Sequence, residues 1–145
     1  MRQTIVTFTG TRWGMTKQQQ SRVRQLLRRL SPEEVHHGMC IGADAEFHQI
    51  VRTVCKRRTH IHGWPQSIDR TLRAKGLSPD SLHKEMPPLE RNKAMVSHAD
   101  VVIATPKEKT QILRSGTWAT IRYAVKKKGL ALYVVGPDGK DLKEW

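Results

Sequence analysis

Arg114, Ser115, Gly116 and Thr117 stand where an amphipathic pattern begins, and their types suit an anion. A helix start offers free N–H groups and a partial positive charge. Gly116 removes side-chain bulk, so a phosphate can reach those N–H groups. Ser115 and Thr117 add hydroxyl donors, and Arg114 adds a cation. The plainer reading is that Ser115 merely caps the helix; together with the basic charge of the chain, phosphate binding is the expectation.

Two further stretches carry similar chemistry. In TGTRWG (9–14), Gly10 permits a tight turn, Thr11 offers a hydroxyl and Arg12 a planar cationic fork for phosphate or carboxylate. In HGMCIGAD (37–44), Gly38 and Gly42 read as residues that shape the backbone, followed by Ala43 and Asp44 at a helix start. Asp44 could cap that helix, a role worth about 1 kcal/mol. It could instead accept hydrogen bonds from a ribose or a base. Arg91 and Asn92, in PLERNKAM, stand ahead of a later apolar run. Arg91 reads either as a pocket residue or as a surface ion-pair arginine. Asp44, Glu46 and Glu90 are the candidate carboxylates. His36, His37 and His48 lack zinc-site spacing and the histidines are scattered along the chain, so neither a metal nor a cofactor is expected.

The elements that must position these groups are legible as alternating patterns. TIVTFTG, EEVHHG, THIHGWP, DVVIATP and LALYVVGPDG read as strands, rich in β-branched residues and ended by Gly or Pro. Residues 16–30, 43–56, 88–98 and 115–128 read as helices. Val23, Leu26, Leu27 and Leu30 form one apolar stripe, and Phe47, Ile50, Val51 and Val54 another. Trp118, Ile121 and Val125 are expected to face inward on the last helix. Strands alternating with helices imply an α/β fold: one Rossmann-like doubly wound domain spanning 1–145. Its mostly parallel five-stranded sheet has order 3-2-1-4-5 with helices on both faces. Ligands bind such sheets beyond the carboxyl ends of the strands, where the order reverses. The long connection 64–87, with four prolines and glycines, is a candidate lid over that site.

The chain of 145 residues holds 26 Lys+Arg against 13 Asp+Glu, and the net charge of +13 favours phosphates, nucleotides or nucleic acid as partners. The basic runs RVRQLLRR, CKRR and KKK sit on helical patterns, where a solvated face accounts for them. Cys40 and Cys55 have neither metal nor redox spacing and suit a reducing compartment. No signal peptide or membrane span is visible, so a cytoplasmic location is expected.

Four motifs, FTGTR, HGMCIGAD, LERNKAMV…ADVVIATP and RSGTWATIRYA, together resemble the SLOG superfamily. These are Rossmann-like domains related to DNA-processing protein A and to the Lonely Guy cytokinin-activating hydrolases. The resemblance covers nearly the whole chain. It implies a pocket for nucleotides or nucleotide-derived ligands, including cyclic or ADP-ribose-type signals. By matching positions, Gly10, Thr11 and Arg12 would form the first loop and Gly42, Ala43 and Asp44 the second. Arg91 and Asn92 would face the pocket, and Arg114, Ser115, Gly116 and Thr117 would hold phosphate. The hydrolases carry PGGxGTxxE at the last element, and the glutamate serves catalysis. Here Thr120 stands at the glutamate position, and a hydroxyl cannot stabilise a sugar cation or activate water as a carboxylate does. The expectation is therefore a binder, acting as sensor or sequestering protein, for instance in phage–host defence. An N-glycosidic bond-cleaving or transferring enzyme and a basic DNA-binding protein are the alternatives. The resemblance further implies a homo-oligomer.

Overall fold

The computed structural model describes residues 4–145. Its centre is β1 (Ile5–Gly10), an apolar run with side chains alternating between two covered faces. Val6 and Phe8 point to one face and join the main core, where the Phe8 ring stacks on Phe47 at 4.2 Å. Thr7 points to the other, and its buried hydroxyl donates to the Met95 carbonyl at 2.7 Å. Parallel sheets require this double covering, because crossover helices lie on both sides.

Helix α1 (Lys17–Leu30) starts at Thr16 with a capping box. The Gln19 amide N–H donates to the Thr16 hydroxyl and the Thr16 N–H to Gln19 Oε1, each at 3.0 Å. Gln19 is itself buried, and its Nε2 donates to the Pro106 and Val135 carbonyls at 2.8 and 3.0 Å. It thereby ties the start of α1 to the ends of two later strands. Next come β2 (Glu34–His37), α2 (Ala43–Val54), β3 (His60–Gly63) and a two-residue strand β4 (Ser81–Leu82). The second half holds α3 (Pro88–Ser97), β5 (Val101–Thr105), α4 (Gly116–Val125) and β6 (Ala131–Val134).

Every strand pair is parallel, and the order is β4-β3-β2-β1-β5-β6. The expected order 3-2-1-4-5 is present, with one strand added at the edge. Among the described residues the sheet thus has six strands rather than five. Helices α1 and α2 pack together on one face, and α3 and α4 on the other. On β5, Val101 and Ile103 belong to the first core, while Val102 and Ala104 belong to clusters under α3 and α4. Burial of each valine or isoleucine among them contributes about 2 kcal/mol, and of the Ala104 methyl under about 1 kcal/mol. Val125 departs from expectation: it is 57% exposed, and Thr120 and Ala124 take the inward positions beside Trp118 and Ile121. The helix ends at Val125, so that residue has no following turn to pin it to the sheet.

The connection 64–87 is stitched to the sheet edge. Ile41 N–H donates to the Leu72 carbonyl, Ala74 N–H to Met39 and His83 N–H to Gly63, at 2.8, 2.8 and 2.9 Å. Among the described residues no helix is long and apolar enough to cross a membrane.

Candidate functional site

The sheet order reverses at β1, which has β2 on one side and β5 on the other. Just beyond the carboxyl ends of these strands lies a cavity of about 400 Å³. Loops after β1, β2 and β5 meet there. Ten of the twelve residues singled out in the sequence line it: Gly10, Thr11, Arg12, Asp44, Arg91, Asn92, Arg114, Ser115, Gly116 and Thr117. Gly42 and Ala43 do not. Their part is to shape the loop. Gly42 has φ +85, and a Cβ there would fall on the Arg12 carbonyl oxygen. Ala43 packs in the core, where its Cβ touches the place a side chain on Gly10 would occupy.

The floor of the cavity is a buried polar network. Arg91 is 7% exposed, not a surface ion-pair residue. Its Nη1 donates to the Gly38 and Trp64 carbonyls at 2.9 and 3.1 Å, and its Nε donates to Asn92 Oδ1 at 2.9 Å. Asp44 accepts from the Cys40 N–H at 3.2 Å and makes no capping hydrogen bond to its helix. Burial raises its carboxyl to about 6, against the opposing pull of the Arg91 charge. Burial, reinforced by Asp44, also pushes the Cys40 thiol up to about 11, which keeps it protonated and unreactive. Asn92 and Thr117 line the cavity and are 8% and 7% exposed as whole residues, and among the described residues neither Asn92 Nδ2 nor the Thr117 hydroxyl has a protein hydrogen-bond partner. Both atoms stay open to the cavity, whereas the one enclosed side-chain atom without a partner among the described residues is Thr105 Oγ1, at the end of β5.

The wall is the start of α4. Ser115 is its N-cap and accepts from the Trp118 N–H at 3.2 Å. A Cβ on Gly116 would meet nothing within 4 Å, so there is room beside this position, and both Gly116 and Thr117 line the cavity. The loop before it is held in shape by α4 itself. Trp118 Nε1 donates to Glu108 Oε1 at 2.9 Å, and Arg122 donates to the Ile112 and Leu113 carbonyls at 3.2 and 3.3 Å. Glu46 and Glu90 stand outside the cavity. Glu46 accepts from the Met15 N–H at 2.6 Å and braces α1 against α2, while Glu90 is exposed. Thr120 is buried and donates back to the Gly116 carbonyl at 2.9 Å. The sequence reading missed Trp13, Lys107 and Glu108, which also line the cavity. Their signal was position alone: all three lie in the loops after β1 and β5.

The histidines, scattered along the chain, gather in space. His36, His62 and His83 each bring a ring nitrogen within 4.8 Å of the others. Their hydrogen bonds run in one direction. The Trp64 indole N–H donates to His36 Nδ1 at 2.8 Å, which places the neutral ring's proton on Nε2, facing Glu34 Oε1 at 3.3 Å. His62 Nε2 faces the same oxygen at 3.0 Å, and its Nδ1 lies 2.9 Å from His83 Nε2. The His36 and His62 rings are parallel within 5°. Their in-plane lone pairs therefore do not converge on a common ion in this arrangement. The group is a stack of neutral rings clamped by one carboxylate. On the opposite face, His37 Nδ1 accepts from the Met39 N–H at 3.0 Å and its Nε2 lies 2.9 Å from His48 Nδ1.

This arrangement predicts acid sensitivity. Burial lowers His36 and His37 to about 3 each. The unfolded chain takes up these protons near pH 6.5 and the folded chain does not. Their stabilisation is therefore full above pH 6.5 and is lost as pH falls toward 3. Asp44, raised to about 6, works in the opposite direction below that pH, but it is one group against two. Denaturant unfolding should show a net loss on the order of 2 kcal/mol between pH 7 and pH 5. A flat or rising profile would contradict the neutral-ring assignment.

Three solved structures share this architecture. The molybdenum cofactor binding protein of the phototrophic bacterium Rippkaea orientalis superposes with a TM-score of 0.67 at 18% identity, covering 94% of this chain and 78% of that one. The structural-genomics target TM1055 gives 0.59 at 17% identity, over 83% and 68%. DNA processing protein A of Streptococcus pneumoniae gives 0.61 at 16% identity, over 91% of this chain but 50% of that one. The chain has the Rossmann-like α/β fold of these structures. At these identities the likeness establishes the fold, and the kinship with DNA-processing protein A drawn from the four motifs is met at that level. No family model and no curated protein matches the chain.

Proposed function

We propose that the protein binds a nucleotide or nucleotide-derived anion in the cavity at the carboxyl ends of β1, β2 and β5, as a sensor or sequestering protein. One observation carries this reading: the start of α4, with Arg114 beside it, shares a cavity with Asp44, Asn92 and Thr117, polar residues 7–8% exposed. The helix start and Arg114 suit phosphate. Ionised Asp44 can only accept hydrogen bonds, so it suits a hydroxyl or amine of the same ligand rather than its phosphate. A fold neighbour named for binding a cofactor is compatible with a small ligand on this scaffold. Thermal-shift measurement against a panel of mono-, di- and cyclic nucleotides tests the proposal. A specific ligand should raise the melting temperature by mass action. No shift across the panel, with no nucleotide co-purifying in mass spectrometry, would sink it.

A second reading, cleavage of an N-glycosidic bond, has Asp44 in its favour. A buried carboxyl raised to about 6 in the cavity suits acid–base work near neutral pH. Release of free base from AMP, abolished by Asp44→Asn, would favour it over simple binding.

A further inference from the structure

We infer that Trp13 is the base-stacking platform of this cavity, so that the ligand carries a planar heteroaromatic ring as well as its anionic group. The inference rests on the nucleotide reading above and narrows it. Trp13 lines the cavity yet is 69% exposed, whereas Trp64 and Trp118 are 4% exposed or less. An indole left in water at a cavity mouth leaves a large apolar face uncovered, which burial against another ring would stabilise.

The ring is not loose. The Arg12 guanidinium sits 4.9 Å from its centroid and the Lys107 ammonium 5.5 Å. These cations come from different loops, after β1 and after β5, so the indole is held between the two loops that frame the cavity. The backbone beneath it is fixed as well. The Trp13 N–H donates to the Thr11 hydroxyl at 3.2 Å, and the Gly14 N–H donates to the Thr11 carbonyl at 3.1 Å. Trp13 stays 69% exposed with both cations over its ring, so an arriving base takes the face they leave open or displaces one of these flexible side chains. They also keep the potential positive on the path of an entering anion.

The cavity therefore presents three chemistries. A helix start and Arg114 take the anion, buried polar groups take hydroxyl or amine hydrogen bonds, and Trp13 takes a flat π face. A phosphorylated nucleoside satisfies all three, and a sugar phosphate satisfies only two. Base–aromatic stacks tolerate any base, so Trp13 selects for a base without choosing which.

Calorimetric titration of ADP and of ribose 5-phosphate into the wild-type protein, Trp13→Ala and Trp13→Phe separates the possibilities. Trp13→Ala should weaken ADP binding roughly tenfold or more while leaving ribose 5-phosphate unchanged, and Trp13→Phe should restore most of the loss. An unchanged melting temperature will show that each variant folds, as expected for an exposed side chain. If the wild type binds ADP and Trp13→Ala binds it equally well, or loses both ligands alike, the platform is wrong while the cavity reading stands. If the wild type binds neither ligand, the same variants are titrated with the nucleotide that the thermal-shift panel selects, and both readings fall together only if the panel selects none.

Discussion

Replacing Gly42 with alanine should cost the fold about 2–6 kcal/mol, a large share of the roughly 5–15 kcal/mol by which a domain is stable. Two effects add. Gly42 has φ +85 and ψ −127, a conformation open essentially to glycine alone, and forcing a side chain into it costs about 1–3 kcal/mol. In addition, the new Cβ would fall on the Arg12 carbonyl oxygen. That oxygen belongs to backbone, so the clash is relieved only by moving the loop after β1 away from α2, at a cost of about 1–3 kcal/mol. The melting temperature should drop by about 10 °C. Gly129 is the matched control, because it has φ +78 and a Cβ there would meet nothing within 4 Å. Gly129→Ala should show only the conformational cost, about 1 kcal/mol. Equal losses at both positions would mean that the contact between the two loops is not what makes Gly42 necessary.

Gly116→Asp should have the reverse signature, leaving the fold intact and eliminating the ligand. The position is the first of α4 and has open space around it, so a side chain fits. A carboxylate at a helix start interacts favourably with the helix dipole, by about 0.3–1 kcal/mol. The melting temperature should therefore hold or rise slightly. The same carboxylate occupies the place proposed for phosphate. Two unit charges about 4 Å apart repel by about 4 kcal/mol at the effective dielectric of a protein surface, so affinity should fall at least 100-fold. Comparing melting curves and nucleotide titrations of the variant reads both effects in one preparation. A variant that is destabilised, or that binds as well as the wild type, contradicts the assignment.

The order of the sheet was legible because each strand is a separate β-branched run bounded by Gly or Pro, and parallel crossovers admit few arrangements. Strand β4 was not, since Ser81–Leu82 has no alternation of its own and pairs only because the connection folds back along β3. The cavity loops were legible through their glycines and through Asp44, Arg91 and the start of α4. Whether Arg91 lay inside or outside was open, because its partners are carbonyls of Gly38 and Trp64 that carry no side-chain signal. The histidine stack was invisible for a different reason. His36 and His62 become neighbours through the register of two parallel strands, a relation that sequence spacing does not express.

The central claim is that an anion is held at the start of α4, and amide chemical shifts report on it directly. In a ¹⁵N-labelled sample titrated with ADP, the amides of Gly116, Thr117 and Trp118 should move most, together with those of Thr11 and Arg12 across the cavity. Shifts confined to the basic faces of α1, or an unmoved α4 start in a sample that binds ADP, would contradict it.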